Sequence, residues 1–167
     1  MLNRAQMSTW VRSHKAMLLV AALLLLLDRV SKVWTLTYLA EHGPVRLLSY
    51  FWLNYVENTG AAFGMFQHAN MLLVVVMFLV IGYIMCSWKD LTQYGMCSQW
   101  GAMLILTGAF GNLYDRLTLG FVVDMLDFRV WPVFNVADSC ITVGAVLLAI
   151  SLLKRCKKER RENEKNH

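Results

Sequence analysis

The sequence predicts an all-α membrane protein with four transmembrane helices and a few short strands outside the membrane. Of its 167 residues, 57% are hydrophobic and only 16% are charged, whereas a soluble domain carries about 25% charged residues. Four apolar segments are long enough, at about 1.5 Å of helical rise per residue, to cross a hydrocarbon core of about 30 Å. These two observations indicate an integral membrane protein.

The four spans form one domain that takes up the whole chain, 1–167. They cover about 16–40, 71–88, 100–117 and 136–153. The second is the cleanest, since no charge lies between Asn70 and Lys89; the third and fourth cross only if their polar residues face protein or water. The first also fits the apolar region of a cleaved signal peptide, but it runs on into "DRVSKVW" without a small-residue cleavage site, which favours a retained helix.

The distribution of charge predicts the orientation. Arg4, Arg12 and Lys15 precede the first span, and the tail 154–167 is strongly basic, while the outer loop 41–70 and the segment 118–135 are slightly negative. By the positive-inside rule both termini are cytoplasmic, which an even number of spans allows. Nucleic acid is not expected as a partner, because basic runs next to a span are usually topology signals. The only obvious candidates for disorder are the first dozen residues and the tail beyond Lys154.

The outer loop has the features of strands and a turn. "RLLSYFWLNYVEN" is rich in aromatic residues and has little helical periodicity, which favours short strands. "NTGAAFG" follows as a turn in which Gly60 and Gly64 allow close backbone approach. The aromatic residues fit a platform at the lipid headgroups, where they either anchor the loop or touch a substrate: Tyr50, Phe51, Trp52 and Tyr55.

Small and polar residues mark the third span and the end of the first. Gly101, Gly108 and Gly111 predict close helix packing in lipid. Asp28 and Lys32 share a helix face at i, i+4, which predicts a local ion pair. At the end of the third span, Asp115 and Arg116 suggest an interfacial salt bridge, whereas Asn112 is harder to explain because a buried amide needs partners.

Three further acids, Asp124, Asp127 and Asp138, lie between the end of the third span and the first turn of the fourth. Asn135 and Asp138 fit the cap and first turn of the fourth helix, which alone explains both. Asp124 lies in an apolar stretch that can fold back to the same place. Two carboxylates in a low dielectric share a proton, so one acts as base and the other as acid, and such a pair can activate water against an amide carbonyl. Asp127 is a rival acid, but Arg129 is near enough to pair with it at the surface.

The remaining residues suggest no metal or cofactor. The four cysteines have neither metal-ligand nor disulfide spacing, and the four histidines are isolated. Two other classes compete with a hydrolase. A proton-coupled carrier would place its acids near the middle of the bilayer, in helices broken in matched halves. A scaffold would use its polar residues only to hold helices together.

Five motifs in order identify a resemblance. "DRVSK", "NTGAAFG", "GAFGNLYDR", "VVDMLDF" and "FNVADS" resemble the signatures of the lipoprotein signal peptidase family, also called signal peptidase II. The likeness covers nearly all of the chain between the two tails. It departs from the family pattern at Thr107, where a glycine is frequent, and at Met125, where an aromatic residue is frequent; neither position is one of the acids.

The resemblance implies an aspartic endopeptidase of the bacterial inner membrane with a small extracytoplasmic β-strand cradle. Its substrates would be prolipoproteins, cut before a cysteine that carries diacylglycerol, and its inhibitors would include globomycin-type cyclic peptides. Asp124 and Asp138 correspond to the catalytic pair. The supporting residues correspond to Asp28, Asn58, Asn112, Arg116 and Asn135. The holder of the shared proton and the oligomeric state are left open.

Overall fold

The computed structural model describes residues 4–60 and 69–165 of the chain and is mostly helical. Its long first helix continues through a short π-helical segment before the outer loop begins. The predicted Gly64 turn lies outside the described residues. The helices are α1 (Arg4–Trp34), the π-helix (Thr35–Leu39), α2 (Ala40–His42), α3 (Asn70–Cys86), α4 (Trp88–Thr92), α5 (Met96–Thr118) and α6 (Val136–Lys165).

Four long helices coincide with the four predicted spans. Within residues 4–60 and 69–165, Val136–Lys157 is the one helical stretch long and apolar enough to cross a membrane by itself, and α3 is apolar but shorter. α1 carries charged residues in its second half, and polar and small residues lower the mean hydropathy of α5. The structure therefore supports a helical protein, and the number of spans remains a prediction.

The described parts of both terminal segments are helical, which differs from the disorder for which they are candidates by sequence. α1 begins at Arg4, and α6 continues to Lys165. Lys, Arg and Glu are good helix formers, so the tail extends the apolar helix that precedes it. Arg160 Nε also lies 3.7 Å from Glu164 Oε1 at i, i+4.

The outer faces of α1 and α3 are covered by large apolar side chains. Leu18 is 61% exposed, Leu26 60% and Leu79 67%. A soluble monomer seldom exposes contiguous apolar surface on this scale. Lipid accounts for these faces, because apolar side chains are favoured in contact with acyl chains.

α5 and α6 pack through glycines, as the spacing in the third span predicts. A Cβ added to Gly108 would overlap the carbonyl oxygen of Ala137, and one added to Gly101 would lie 2.8 Å from that of Gly144. The two backbones are therefore nearly in contact. This close approach brings the start of α6 against the polar end of α5.

A three-stranded antiparallel sheet lies outside the helices, in the order β1 (Val45–Leu48), β2 (Phe51–Asn58) and β3 (Val122–Asp127). The strands predicted in the outer loop are confirmed as β1 and β2. β3, which follows α5, was not predicted. In the register of β2 and β3, Val56 pairs with Asp124 and Asn58 pairs with Val122. The sheet thus brings Asn58 beside Asp124.

Candidate active site

The start of α6 is capped as its sequence predicts. The backbone N–H of Asp138 donates to Asn135 Oδ1 at 2.8 Å, and the backbone N–H of Asn135 donates to Asp138 Oδ2 at 3.3 Å. This reciprocal pair is a capping box. It leaves Asp138 Oδ1 available, and that atom accepts a hydrogen bond of 2.7 Å from Asn112 Nδ2.

Asp124 lies on β3 and is held by two side-chain amides. Asn135 Nδ2 donates to Asp124 Oδ1 at 2.6 Å, and Asn58 Nδ2 donates to Asp124 Oδ2 at 2.8 Å. Asn135 therefore bonds to Asp124 through its side chain and to Asp138 through both side chain and backbone. Each of the four carboxylate oxygens of the two aspartates accepts an N–H, and each keeps a second lone pair for another donor.

The environment of Asp124 raises its pKa to about 7. The main cause is burial, since the residue is only 1% exposed, and the negative charge of Asp138 adds to the effect. The hydrogen bonds from Asn58 and Asn135 and the charge of Lys32 act in the opposite direction. Near neutral pH the Asp124 carboxyl can therefore either hold a proton or accept one.

Asn112 on α5 has the partners that a buried amide requires. Its Oδ1 accepts hydrogen bonds from Lys32 Nζ at 2.9 Å and from Asn135 Nδ2 at 3.2 Å, while its Nδ2 binds Asp138. Both ends of the amide are thus used. Asn112 connects the first helix to the two aspartates.

Arg116 does not form the predicted salt bridge with Asp115. Successive residues of an α-helix point about 100° apart, and the two side chains diverge. Arg116 Nη1 donates to Asn70 Oδ1 at 3.2 Å and its Nη2 donates to the carbonyl oxygen of Gly60. Asp115 instead pairs with Arg29 Nη1 at 2.9 Å and with Lys32 Nζ at 3.0 Å.

Asp28 forms the predicted i, i+4 ion pair, with Lys32 Nζ 2.9 Å from its Oδ2. Its other oxygen, Oδ1, accepts a 2.9 Å hydrogen bond from the backbone N–H of Ala137. Asp28 therefore also satisfies an N–H in the first turn of α6, where a negative charge is favoured by the helix dipole.

Asp127 pairs with Arg129, as predicted, but its side chain is buried and not at the surface as the prediction of a surface pair requires. Arg129 Nη1 lies 3.7 Å from Asp127 Oδ2, and the Arg129 backbone N–H donates to Asp127 Oδ1 at 2.7 Å. Lys32 and Asp115, by contrast, were interpreted only as members of local pairs. The sequence feature that points to a role for these two residues in the site is their charge near the ends of otherwise apolar helices.

A cavity of about 720 Å³ opens beside Asp138, between α3, α6 and the segment 128–134. Asn58, Asn112 and Arg116 line its polar side. Its other walls are mainly apolar, and examples are Leu73, Met77, Phe128, Trp131, Phe134 and Ile141. The cavity thus combines one carboxylate, two side-chain amides and one guanidinium with mainly apolar walls of the kind that suits acyl chains.

Comparison with known proteins identifies the family. The family model described as signal peptidase (SPase) II matches residues 20–154. The chain belongs to the signal peptidase II family. Proteins of this family are proteases and membrane proteins. The resemblance noted in the sequence is therefore confirmed.

Named relatives and solved structures support the assignment to signal peptidase II. The lipoprotein signal peptidase of Pelotomaculum thermopropionicum is 42% identical over 149 residues, which cover 86% of this chain and 97% of that protein. That of Clostridioides difficile is 41% identical over 141 residues, covering 81% and 93%. A bacterial membrane enzyme solved at 2.3 Å resolution superposes with a TM-score of 0.81 at 26% identity, covering 86% of this chain and 91% of that one.

All seven residues that the signal peptidase II motifs single out lie in one cluster. Their side chains are connected by hydrogen bonds or lie close enough to interact electrostatically. The cluster joins α1, β2, β3, α5 and α6. Its members are Asp28, Asn58, Asn112, Arg116, Asp124, Asn135 and Asp138.

Proposed function

We propose that this chain is an aspartic endopeptidase that removes signal peptides from lipoprotein precursors, with Asp124 and Asp138 activating the attacking water. The observation that carries the proposal is the bridge through Asn135, which hydrogen-bonds to both carboxylates beside the cavity. Asp124 is buried and Asp138 is half-buried. Two such acids with a common partner can share one proton, because two adjacent negative charges in a low dielectric are unfavourable.

The pair supplies both a base and an acid for hydrolysis. The ionised carboxylate takes a proton from water while the water oxygen bonds to the scissile carbonyl carbon, and the protonated carboxyl donates to the carbonyl oxygen. Collapse of the tetrahedral intermediate breaks the C–N bond, and the proton taken from water passes to the leaving amine. The new carboxyl group keeps the water oxygen, and the pair returns with one proton.

The asparagines orient these groups. Asn58 Nδ2 and Asn112 Nδ2 each donate to one aspartate and have no proton of suitable pKa to transfer. Arg116 fixes the Gly60 carbonyl and Asn70, which flank residues 61–68. Substitutions at Asn58, Asn112 and Arg116 should therefore reduce the cleavage rate without abolishing it.

The cavity fits a substrate that carries lipid. A precursor anchored by two acyl chains diffuses in the plane of the bilayer and meets the cavity between α3 and α6 from the side. The apolar walls would receive the acyl chains, and the scissile bond before the diacylglyceryl-cysteine would lie at the aspartates. A globomycin-type cyclic peptide would occupy the same space.

The enzyme is proposed to lie in the bacterial inner membrane with both termini in the cytoplasm and the aspartates near the extracytoplasmic face. Basic residues flank the first span and follow the last, as the positive-inside rule requires of cytoplasmic ends. At that depth the site can meet water and lipid together.

The test is a gel-shift cleavage assay with lipidated and unlipidated precursor. Asp124→Asn and Asp138→Asn, which are close to isosteric, should fold and abolish cleavage of the lipidated precursor. Asp127→Asn is the matched control, because this buried carboxylate on the same strand pairs with Arg129 and should leave cleavage intact. Substantial turnover by either catalytic variant would refute the dyad, and equal cleavage of the unlipidated precursor would refute the lipid preference.

A further inference from the structure

Lys32 is a fully buried lysine whose ammonium group has three acceptors. Its Nζ lies 2.9 Å from Asp28 Oδ2, 3.0 Å from Asp115 Oδ2 and 2.9 Å from Asn112 Oδ1. The side chain is 0% exposed. An ammonium group has three N–H donors and no acceptor, so these three contacts use all of its hydrogen-bonding capacity.

Two of the acceptors also hold backbone next to the aspartates. Asp28 Oδ1 accepts from the N–H of Ala137, the residue before Asp138. Asp115 Oδ2 accepts at 3.3 Å from the N–H of Val123, the residue before Asp124. One lysine therefore connects α1 to the backbone that carries both carboxylates.

The third acceptor fixes the orientation of an amide. Because Lys32 can only donate, the oxygen of the Asn112 amide must face it, and the amide nitrogen then faces Asp138. Without the ammonium group, the amide could rotate and present its oxygen to a carboxylate. That orientation would lose a hydrogen bond and place two acceptors together.

From these contacts we infer that Lys32 is a positioning residue that sets the geometry of both aspartates. The inference rests on the proposed aspartic mechanism. Lys32 is fully buried and its three N–H donors are all used within the protein, so it acts through Asp28, Asn112 and Asp115 rather than by touching substrate.

The charge of Lys32 has a separate, measurable effect. It lowers the pKa of Asp124 against the effect of burial and of Asp138. Removing it should raise that pKa, and both limbs of the pH–rate profile should move to higher pH. Among the described residues, the charged or titratable groups that interact with the two aspartates are Asp28 and Lys32 from α1, Arg116 from α5 and Cys140 from α6. Asp115 from α5 is joined to them through Lys32 and the Val123 N–H.

The experiment compares three variants by cleavage of the lipidated precursor across pH. Lys32→Met should lower kcat about a hundredfold, since a small misplacement of catalytic groups has effects of this size, with little change in KM and a profile shifted to higher pH. Lys32→Arg keeps the charge, but a planar guanidinium cannot serve three acceptors arranged around one nitrogen. Its kcat should fall while its profile stays at the wild-type pH.

Lys15→Met is the matched control, because it removes one positive charge from the same helix, α1. Lys15 is exposed and takes no part in the contacts to the aspartates described above, so kcat should stay within about fivefold of wild type. A Lys32→Met variant with wild-type kcat, or with an unshifted profile, would contradict the inference. So would a Lys32→Arg variant with wild-type kcat.

Two further arms distinguish the role of Lys32 from the catalytic role of Asp124 and from a general effect on folding. Asp124→Asn is assayed in parallel. If this variant cleaves the precursor, the proposed function is wrong. If it is inactive while Lys32→Met behaves as wild type, only the proposed role of Lys32 is wrong. Thermal melting in detergent shows whether each variant is folded. If Lys32→Met does not fold, the double variant Lys32→Met/Asp115→Asn is used instead, because it removes one buried acid together with the cation. If none of the Lys32 variants folds, Lys32 serves general stability and the inference is wrong.

Discussion

The carboxyl of Asp124 links proton binding to folding. Its pKa in the folded chain is about 7, whereas an unfolded aspartate titrates near about 3.9. Between these values the folded chain holds a proton that the unfolded chain releases, so rising pH favours unfolding. The stability that this proton contributes is complete below the unfolded pKa and is lost as pH rises through about 7.

We therefore expect the melting temperature in detergent to fall as pH rises from about 4 to about 7. Asp124→Asn should flatten this dependence, because its amide does not titrate. Asp127→Asn, which removes a carboxyl from the same strand, is the matched control. An equally steep slope in the Asp124→Asn variant would show that other groups cause it.

At the same scale, contacts between residues close in sequence are predictable, whereas contacts between distant residues are not. The cap formed by Asn135 and Asp138 spans three residues, and the pair of Asp28 with Lys32 spans four, so spacing alone predicts both. The bond from Lys32 to Asn112 joins residues 80 positions apart. No periodicity in the sequence predicts this hydrogen bond. The family motifs supplied Asn58, which spacing alone would have left as a turn residue.

Among the elements, the contact between α5 and α6 controls where Asp138 lies. A methyl group added at Gly108 would overlap the carbonyl oxygen of Ala137, the residue before Asp138. Backbone atoms cannot rotate away as a flexible side chain can, so α6 would have to shift.

Gly108→Ala should lower the free energy of unfolding by about 1–3 kcal/mol, the usual effect of overpacking, and should slow cleavage. Gly82→Ala is the matched control, because nothing lies within 4 Å of its added Cβ. Alanine is the better helix former, so that variant should be neutral or more stable by up to about 1 kcal/mol. Thermal melting and the cleavage assay together check both variants, and equal stability of the two would contradict the packing argument.

The positions of the long helices were predictable because apolar length is a strong signal. β3 was not, because its partner β2 lies far back in the sequence: the hydrogen bond from Asn58 to Asp124 spans 66 residues. No hairpin turn joins the two strands, and α3 to α5 intervene. The π-helix of residues 35–39 likewise leaves no mark on the periodicity.

The molecule as a whole has two different ends. Asp124 and Asp138 lie at one end of α5 and α6, near the sheet. At the other end, Ser151 Oγ donates to the carbonyl oxygen of Tyr94 at 3.0 Å, and the Arg155 guanidinium lies 4.3 Å from the centre of the Tyr94 ring. The basic tail begins at this second end. If basic residues stay in the cytoplasm, the aspartates must lie toward the other side of the membrane.

Thiol labelling tests this orientation with residues that the chain already has. Cys97 and Cys156 are exposed free cysteines near the basic end, whereas Cys140 is buried. A membrane-impermeant maleimide should leave Cys97 and Cys156 unlabelled in intact spheroplasts and should label them in inverted vesicles.

In a background where Cys86, Cys97 and Cys156 are replaced by serine, Val130→Cys should show the opposite pattern, because Val130 is 92% exposed and lies between β3 and α6. Labelling of both ends from the same side would rule out a membrane crossing between them. The reversed pattern would place the aspartates in the cytoplasm. An enzyme that acts on exported precursors could not meet its substrate there.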